Sequence, residues 1–334
     1  MKSPSRFARL MLAAVGLCAG ILTLEVGLRC RTAYDRYRVK KAALTRPTGK
    51  VEAGQIVQFN DNPRLVYDLR PNLDVEFKGV RVKTNAEGFR DSDHPVEKPP
   101  GKRRIVLLGD SNLFAWGVPY ESGCVRVAAR DLPDWDLLNL ARPGYNSAQE
   151  VECFKVYGMK YQPDVVMINF ISNDDQLPNY IQRSPGDLSA SFLVDWLDGR
   201  LDPAGLAAAR PVQRENRRQL EDNPQRVPAA YQSLVGWEAV RRAYLELGRL
   251  AREQNFVPVV LCFPHLDERG VRYAREAGFQ ICDFTPHWIA LRDNPNLQGK
   301  IFVSPTDSHP AALAHEAFGH FLADWVQHHL RFDL

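Results

Sequence analysis

The sequence predicts an α/β fold: a three-layer, doubly wound parallel sheet preceded by an N-terminal transmembrane helix and a small β region. Two observations predict it. Short apolar runs alternate with helix-like segments from residue 103 onward, and one long apolar run stands at the N-terminus. The 334 residues are 45% hydrophobic and 25% charged, which is ordinary globular composition. A net charge of +3 gives no reason to expect nucleic acid as a partner.

The N-terminal apolar run extends from Leu10 to Leu24 and resumes after Glu25 as far as Leu28. A helix that spans a bilayer needs about 20 residues, and this segment just reaches that length. A signal peptide is one alternative, but no clean cleavage site follows the run. A buried amphipathic helix is another. We predict an uncleaved signal-anchor over residues 1–30, with a single pass through a bacterial inner membrane.

Basic residues flank both ends of this segment, so they give conflicting signals about its orientation in the membrane. Simple counting of the basic residues after the span would place the rest of the chain in the cytoplasm. That rule weakens for long translocated domains, and the short basic tail before the run favours a cytoplasmic N-terminus. We therefore expect residues after the span to be periplasmic or extracytoplasmic.

Residues 31–102 are predicted to form a juxtamembrane linker and a small antiparallel β flap, with β-like runs at 65–67, 75–77 and 80–82. Residues 103–334 are predicted to form the main domain. Its strands are expected at 105–108, 137–140, 165–171, 257–262 and 279–284, and its helices at 147–161, 229–254, 268–277 and 311–327. The proline-bearing stretch at about 175–228 interrupts this alternation, and we interpret it as an insertion or lid.

The run Gly109-Asp110-Ser111 stands at the end of the first predicted strand of the sheet. Ligands of such sheets bind outside the carboxyl ends of the strands, so Ser111 is a candidate nucleophile. The alternative is that Ser111 is a helix N-cap, a position that serine favours.

A second candidate group lies near the C-terminus, where Asp307-Ser308-His309-Pro310 precedes a predicted helix. His309 is positioned in sequence to act as a general base, and Asp307 to orient and stabilise the imidazole. The alternative is that Thr306 or Asp307 caps the helix and His309 is a surface residue.

Two further candidates follow the second and third predicted strands of the sheet. Gly144 could turn a backbone N–H into the cleft, and the Asn173 side chain could donate a second hydrogen bond. Together with the N–H of Ser111, they would form an oxyanion hole. The alternatives are an ordinary turn glycine and an Asx-turn asparagine.

No metal site is expected. His315 and His320 are separated by five residues, whereas the zinc-protease motif needs its histidines four apart on one helix face. Trp116, Tyr145 and Trp237 could stack on sugars, although core packing is the more common use of such residues.

These blocks, taken in order, resemble those of the SGNH (GDSL-like) hydrolase family of the membrane-anchored bacterial type. The matches are Ser111 in Gly-Asp-Ser, Gly144 after the second strand, Asn173 in Ser-Asn-Asp and His309 before a proline, over roughly residues 103–330. The resemblance implies a flavodoxin-like hydrolase fold and a Ser-His-Asp mechanism without a cofactor.

The chain departs from the family pattern at two places. The aspartate commonly stands three residues before the histidine, at the position of Thr306, whereas Asp307 lies two before, as in some envelope members that act on polysaccharide acetyl groups. The third block commonly reads Gly-x-Asn-Asp, and here Phe170 or Ile171 stands where small residues often occur. This predicts a bulkier pocket wall.

The resemblance implies a serine esterase that hydrolyses esters, O-acetyl esters foremost, on an envelope carbohydrate or a lipid-linked substrate. An O-acyltransferase that uses the same residues is one alternative. A non-catalytic carbohydrate-binding component of a polysaccharide assembly system is another. The N-terminal helix would provide the contact with the membrane, and the sequence indicates no particular protein partner.

Overall fold

In the computed structural model of this protein, residues 5–42, 46–181, 185–186, 188, 191–197, 227, 229–264 and 267–332 are described. The chain divides into two compact units, the first with residues 1–45 and 180–222 and the second with residues 46–179 and 223–334. Most of the insertion expected at 175–228 lies outside the described residues, so its interpretation as a lid stays a prediction.

The described helices and strands alternate through the second unit. The helices are α1 (Arg6–Ala42), α2 (Ala53–Ile56), α3 (Cys124–Asp131), α4 (Ser147–Cys153), α5 (Phe192–Leu197), α6 (Trp237–Gln254), α7 (Glu268–Glu276), α8 (Thr285–Arg292) and α9 (Ala312–His328). Shorter helical segments lie at Tyr120–Ser122, Phe154–Gly158, Met159–Tyr161, Ala229–Leu234 and Pro295–Leu297. The strands are β1 (Lys50–Val51), β2 (Val57–Phe59), β3 (Tyr67–Leu69), β4 (Asp74–Phe77), β5 (Val80–Lys83), β6 (Arg103–Leu108), β7 (Trp135–Asn139), β8 (Val165–Asn169), β9 (Val257–Cys262), β10 (Gln280–Asp283), β11 (Phe302–Ser304) and β12 (Asp307–Pro310).

Five of the described strands form one parallel sheet in the order β10–β9–β8–β6–β7. In its centre, Ile105 of β6 lies opposite Leu137 of β7 on one side and Val165 of β8 on the other. Counted from β6 along the chain, this is the flavodoxin-like order 2-1-3-4-5 of doubly wound folds. The predicted fold class is therefore confirmed. The strand order reverses between β6 and β8, and such sheets bind ligands at the strand ends beside that point.

The sheet is buried because helices cover both of its faces. Every residue of β8 and β9 is buried, and in β6 Arg103 is the one exposed residue. The connection from β6 to β7 runs in the opposite direction to that from β8 to β9, so right-handed crossovers place α3 and α6 on opposite faces. On one face α9 packs against α3, and on the other α6 packs against α4 and α7.

The residues before the sheet form a small β region within the second unit. β4 and β5 make an antiparallel hairpin in which Phe77 pairs with Val80, and β1 runs parallel to β4. The two turn residues, Lys78 and Gly79, both have positive φ (53° and 77°), as a two-residue type I′ turn requires. β2 and β3 form a separate antiparallel pair.

The first unit is described mainly through α1 and α5. Among the described residues, one helix is long and apolar enough to cross a membrane, over Arg6–Asp35 with a mean hydropathy of 2.0. A membrane anchor and a signal sequence share these properties. Within α1, the Glu25 carboxylate accepts the backbone N–H groups of Phe192 (3.0 Å) and Leu193 (2.8 Å) and pairs with Arg29 (2.6 Å). The acidic charge in the apolar run is thus fully partnered, which lowers the cost of holding it near a membrane.

Candidate active site

Ser111 lies in a tight loop that leaves β6 at its carboxyl end. A Cβ at Gly109 would stand 2.9 Å from the Leu113 side chain, so this close turn requires glycine. The Asp110 carboxylate accepts the backbone N–H of Asn112 at 2.9 Å and holds the loop beyond the strand. The next α-helix begins at Cys124 with Gly123 as its N-cap. Ser111 is therefore not a helix cap, and the alternative based on capping is wrong.

The histidine and the aspartate stand together on the hairpin of β11 and β12. His309 Nδ1 lies 2.5 Å from Asp307 Oδ1, and His309 Nε2 lies 2.9 Å from Ser111 Oγ. α9 begins after Ala311, which is its N-cap, so neither Thr306 nor Asp307 caps that helix. The structure thus joins three side chains from two distant segments in the order carboxylate, imidazole, hydroxyl, which is the arrangement of serine-hydrolase triads.

The two-residue spacing of Asp307 and His309 has a simple geometric reason. Both residues belong to strand β12, and residues two apart on a strand point to the same side. The carboxylate therefore reaches the imidazole directly, while Ser308 between them is exposed. The backbone N–H of His309 also donates to Asp307 Oδ1, at 3.2 Å, which fixes the carboxylate further.

The two candidate oxyanion donors follow the strands on either side of β6. Gly144 comes after β7 and has φ +80°, and the Tyr67 hydroxyl and the Asn179 side chain leave no space for a Cβ there. Asn173 comes after β8 in a turn that Asp174 closes, since Asp174 Oδ2 accepts the Ile171 N–H at 2.6 Å. Because β7 and β8 flank β6, these turns adjoin the Ser111 loop at one edge of the sheet. Their roles as donors stay predictions.

The bulky residue at position 170 is directed into the core. Phe170 is 2% exposed and stacks on Trp237 with 5.8 Å between ring centroids. A Cβ on Gly270 of α7 would stand 3.0 Å from the same ring, so α7 provides the space that the ring occupies. The large side chain at position 170 therefore fills space between β8, α6 and α7.

The charge of Asp307 is stabilised by its partners. Burial alone would raise the pKa of Asp307, but hydrogen bonds from His309 and from the indole N–H of Trp116 outweigh it and lower the pKa below the ordinary value. Asp307 thus stays ionised beside the imidazole. This is the state needed to stabilise a protonated His309 during proton transfer.

Three other carboxyl groups near the Ser111 loop have raised pKa values. Burial raises the pKa of Asp110, although the N–H of Asn112 and the Ser111 hydroxyl partly oppose it. Burial also raises the pKa values of Glu150 and Asp174 well above the ordinary range. The negative charges of Asp174 and Asp110 raise the pKa of Glu150 further, and the charge of Asp110 raises that of Asp174. Among the described residues, neither Glu150 oxygen has a hydrogen-bond partner. We call Asp110, Glu150 and Asp174 the buried carboxyl cluster.

Most of the residues around the histidine could not be predicted from the sequence. Trp116, a candidate for sugar stacking, contacts Asp307 and His309. The Lys78 ammonium, for which no role is expected from the sequence, lies 3.8 Å from Asp307 Oδ2. No sequence motif marks these residues. Their contacts arise because the β4–β5 hairpin, the Ser111 loop and the β11–β12 hairpin meet in space.

The two histidines considered for zinc have separate surroundings. His315 is buried, its Nδ1 accepts the backbone N–H of Cys124 at 3.2 Å, and burial lowers its pKa to about 3. His320 is exposed and lies 2.5 Å from Asp131 Oδ2. They do not share a ligand position.

Comparison with known proteins gives similarity only among solved structures. No family model and no curated protein matches the chain. The esterase EstA from Pseudoalteromonas sp. is 12% identical with a TM-score of 0.43, over 68% of this chain and 97% of that one. A lipase/acylhydrolase from Enterococcus faecalis is 14% identical with a TM-score of 0.39, over 70% and 99%. An acetyl xylan esterase is 13% identical with a TM-score of 0.41, over 67% and 99%.

Proposed function

We propose that the protein is a serine esterase of the SGNH type, with Ser111 as nucleophile, His309 as general base and Asp307 as the partner of the histidine. The observation that carries this proposal is the continuous contact from Asp307 Oδ1 through the imidazole to Ser111 Oγ, with distances of 2.5 and 2.9 Å. A nucleophile, a base and an orienting carboxylate in hydrogen-bond contact are the recurring signature of activated serine. The reversal of the sheet order beside Ser111 also favours a ligand site there.

In the first step of the proposed reaction, Ser111 Oγ attacks the ester carbonyl carbon and transfers its proton to His309 Nε2. Asp307 accepts the Nδ1–H hydrogen bond and stabilises the resulting imidazolium. The negative charge on the former carbonyl oxygen is stabilised by the N–H groups of Ser111 and Gly144 and by the Asn173 amide. The carbon–oxygen ester bond then breaks, and the alcohol leaves with the proton from His309.

In the second step, water replaces the alcohol. His309 removes a proton from the water as its oxygen attacks the acyl carbon on Ser111, and the same three donors stabilise the second oxyanion. The bond to Ser111 Oγ breaks, the serine recovers its proton from His309, and the free acid leaves. A sugar hydroxyl in place of this water would make the protein an acyltransferase.

The proposed substrate is an O-acetyl or other small acyl ester on an envelope carbohydrate or a lipid-linked sugar. The resemblance of the four sequence blocks to SGNH hydrolases supports an ester as substrate. The long apolar α1 supports a location at a bacterial inner membrane, with the main domain outside the cytoplasm. Such a protein would meet envelope glycans rather than cytoplasmic metabolites.

The proposal is tested by labelling the full-length protein in detergent with a fluorophosphonate probe, which reacts with activated serine. We expect wild type to be labelled and Ser111→Ala to be unlabelled. Ser308→Ala is the matched control, because Ser308 is exposed and lies beside His309 on the same strand. It is expected to label like wild type.

Absence of labelling in wild type, or equal labelling of Ser111→Ala, would contradict the esterase and favour the carbohydrate-binding alternative. Acetyl release from an acetylated oligosaccharide, measured with and without an acceptor glycan, separates hydrolysis from transfer. A membrane-impermeant probe applied to spheroplasts tests the orientation, since only an outward-facing Ser111 would then react.

A further inference from the structure

Trp116 makes two contacts with the proposed acid–histidine pair. Its indole Nε1–H donates to Asp307 Oδ2 at 3.2 Å, which is the oxygen that His309 does not use. Its ring stacks on the His309 imidazole, with 5.2 Å between centroids and 23° between planes. One side chain therefore touches both members of the pair.

The loop that carries Trp116 is held in an unfavourable conformation. Ala115, directly before it, has φ +61°, in the left-handed region that is unfavourable for a residue other than glycine. The buried Arg90 guanidinium donates to the carbonyls of Phe114 (2.9 Å), Ala115 (2.6 Å) and Val118 (2.8 Å). Such strain persists only where surrounding contacts impose it, and here they fix where the indole points.

The β4–β5 hairpin contacts the same ring from another direction. Phe77 meets Trp116 edge to face, with 4.7 Å between centroids and 89° between planes, and is 1% exposed. The Lys78 ammonium at the hairpin turn lies 5.4 Å from the Trp116 ring centroid and 3.8 Å from Asp307 Oδ2. Residues far earlier in the chain thus complete the surroundings of Asp307.

We propose that Trp116 is a positioning residue for the Asp307–His309 pair. Its N–H holds the second carboxylate oxygen, and its ring fixes the plane of the imidazole, so that Nε2 stays directed at Ser111. The proposal rests on the esterase proposed above. It departs from a sugar-stacking role for Trp116, because the imidazole covers a face of the ring and the N–H is already used.

Trp116→Phe is the informative substitution, because it removes the N–H donor and keeps an aromatic ring, although a smaller one, beside His309. We expect the rate of fluorophosphonate labelling at its high-pH plateau to fall about ten- to a hundredfold, as for loss of one hydrogen bond to a charged group. Trp135→Phe is the matched control: Trp135 stacks on Phe332 at the amino end of β7, and its substitution should leave the rate unchanged.

A double-mutant cycle separates positioning from folding. If Trp116 acts through Asp307, Trp116→Phe should add little to the loss already caused by Asp307→Asn. Additive losses, or a wild-type rate in Trp116→Phe, would overturn the proposal. The cycle also holds if Trp116→Phe is less stable, because a purely structural loss would appear in both backgrounds.

A spectroscopic measurement that needs no catalysis completes the test. The ¹H signal of the His309 Nδ1–H proton, recorded on the full-length protein in detergent and assigned with His309→Gln, reports the hydrogen bond between Nδ1 and Asp307 Oδ1. Trp116→Phe removes the donor to the other oxygen of the same carboxylate.

We expect this signal to move in Trp116→Phe and to stay in place in Trp135→Phe, because only the first substitution removes a hydrogen bond from Asp307. An unchanged signal in Trp116→Phe would overturn the positioning role even if wild type is labelled. A moved signal in a protein that is never labelled would instead sustain the positioning role and defeat the esterase proposal.

Discussion

The carboxyl groups around the Ser111 loop have pKa values shifted in opposite directions. On the β11–β12 hairpin, Asp307 receives hydrogen bonds from His309 and Trp116, and its pKa is lowered. In the buried carboxyl cluster, Glu150 and Asp174 are fully enclosed, lie near each other, and have raised pKa values. All three side chains carry the same chemical group, a carboxyl group.

The difference lies in the partners that each carboxyl group meets. Desolvation penalises the charged form in both regions. At Asp307 the donors outweigh this penalty, whereas at Asp174 the Ile171 N–H does not, and neither Glu150 oxygen has a donor among the described residues. A carboxylate that must stabilise an imidazolium has to stay charged. A carboxyl group in an enclosed cluster is lower in free energy when it is protonated. Burial therefore does not by itself indicate a catalytic acid, and the donors around it decide its state.

The largest expected effect comes from removing the charge of Asp307. Asp307→Asn keeps the size of the side chain and removes its charge, so the imidazolium loses its stabilising partner. We expect kcat for p-nitrophenyl acetate to fall by about 10⁴-fold, as for the equivalent change in other triads. Asp293→Asn, at an exposed site paired with Arg292, is the control and should leave kcat unchanged. Comparable kcat values for the two variants would refute the role of Asp307.

A smaller effect is expected at Asn173, which stands next to Asp174 of the cluster. If its amide donates to the oxyanion, Asn173→Ala should lower kcat about 10²–10³-fold, because the interaction forms mainly in the transition state. KM should change much less, and a thermal melt should show an intact fold. A higher KM with an unchanged kcat would mean that Asn173 binds the substrate and the transition state equally, which would contradict its role as an oxyanion donor.

The smallest effect is expected in the cluster itself, and on stability rather than catalysis. Glu150 has a folded-state pKa above its ordinary value of 4.5, so the native protein keeps a proton that the unfolded chain releases. The free energy of unfolding should therefore fall as pH rises from about 4.5 towards the folded-state pKa, by ~1.4 kcal/mol per pH unit at most. Glu150→Gln stays neutral and should reduce this slope, while the part that comes from Asp110 and Asp174 remains.

Chemical denaturation between pH 5 and 8 measures that slope for each variant. Glu253→Gln is the control, because Glu253 is exposed and paired with Arg249, and it should keep the wild-type slope. A wild-type slope in Glu150→Gln as well would show that Glu150 does not keep a proton in the folded protein.

The sequence alone was sufficient for the features that local pattern controls. Apolar runs predicted the strands of the sheet, with β9 at the predicted residues and the others within two residues at each end. Ser111, Gly144 and Asn173 could be proposed because each follows a strand of the sheet, and parallel strands end at a common edge. His309 could be proposed from its place just before the last predicted helix. Asp307 was assigned against the commoner spacing, and strand β12 supplies the geometric reason for its contact with His309.

The tertiary structure alone decided what surrounds those residues. Trp116 donates to Asp307, which is 191 positions away. Glu150 of α4 is close enough to Asp174, in the turn after β8, for the charge of Asp174 to raise its pKa. Lys78 reaches Asp307 from a hairpin that precedes the sheet. Such contacts depend on how separate segments pack, and no local periodicity or motif encodes them. The sequence thus determined where the candidate side chains stand, while packing determined which carboxyl groups stay charged.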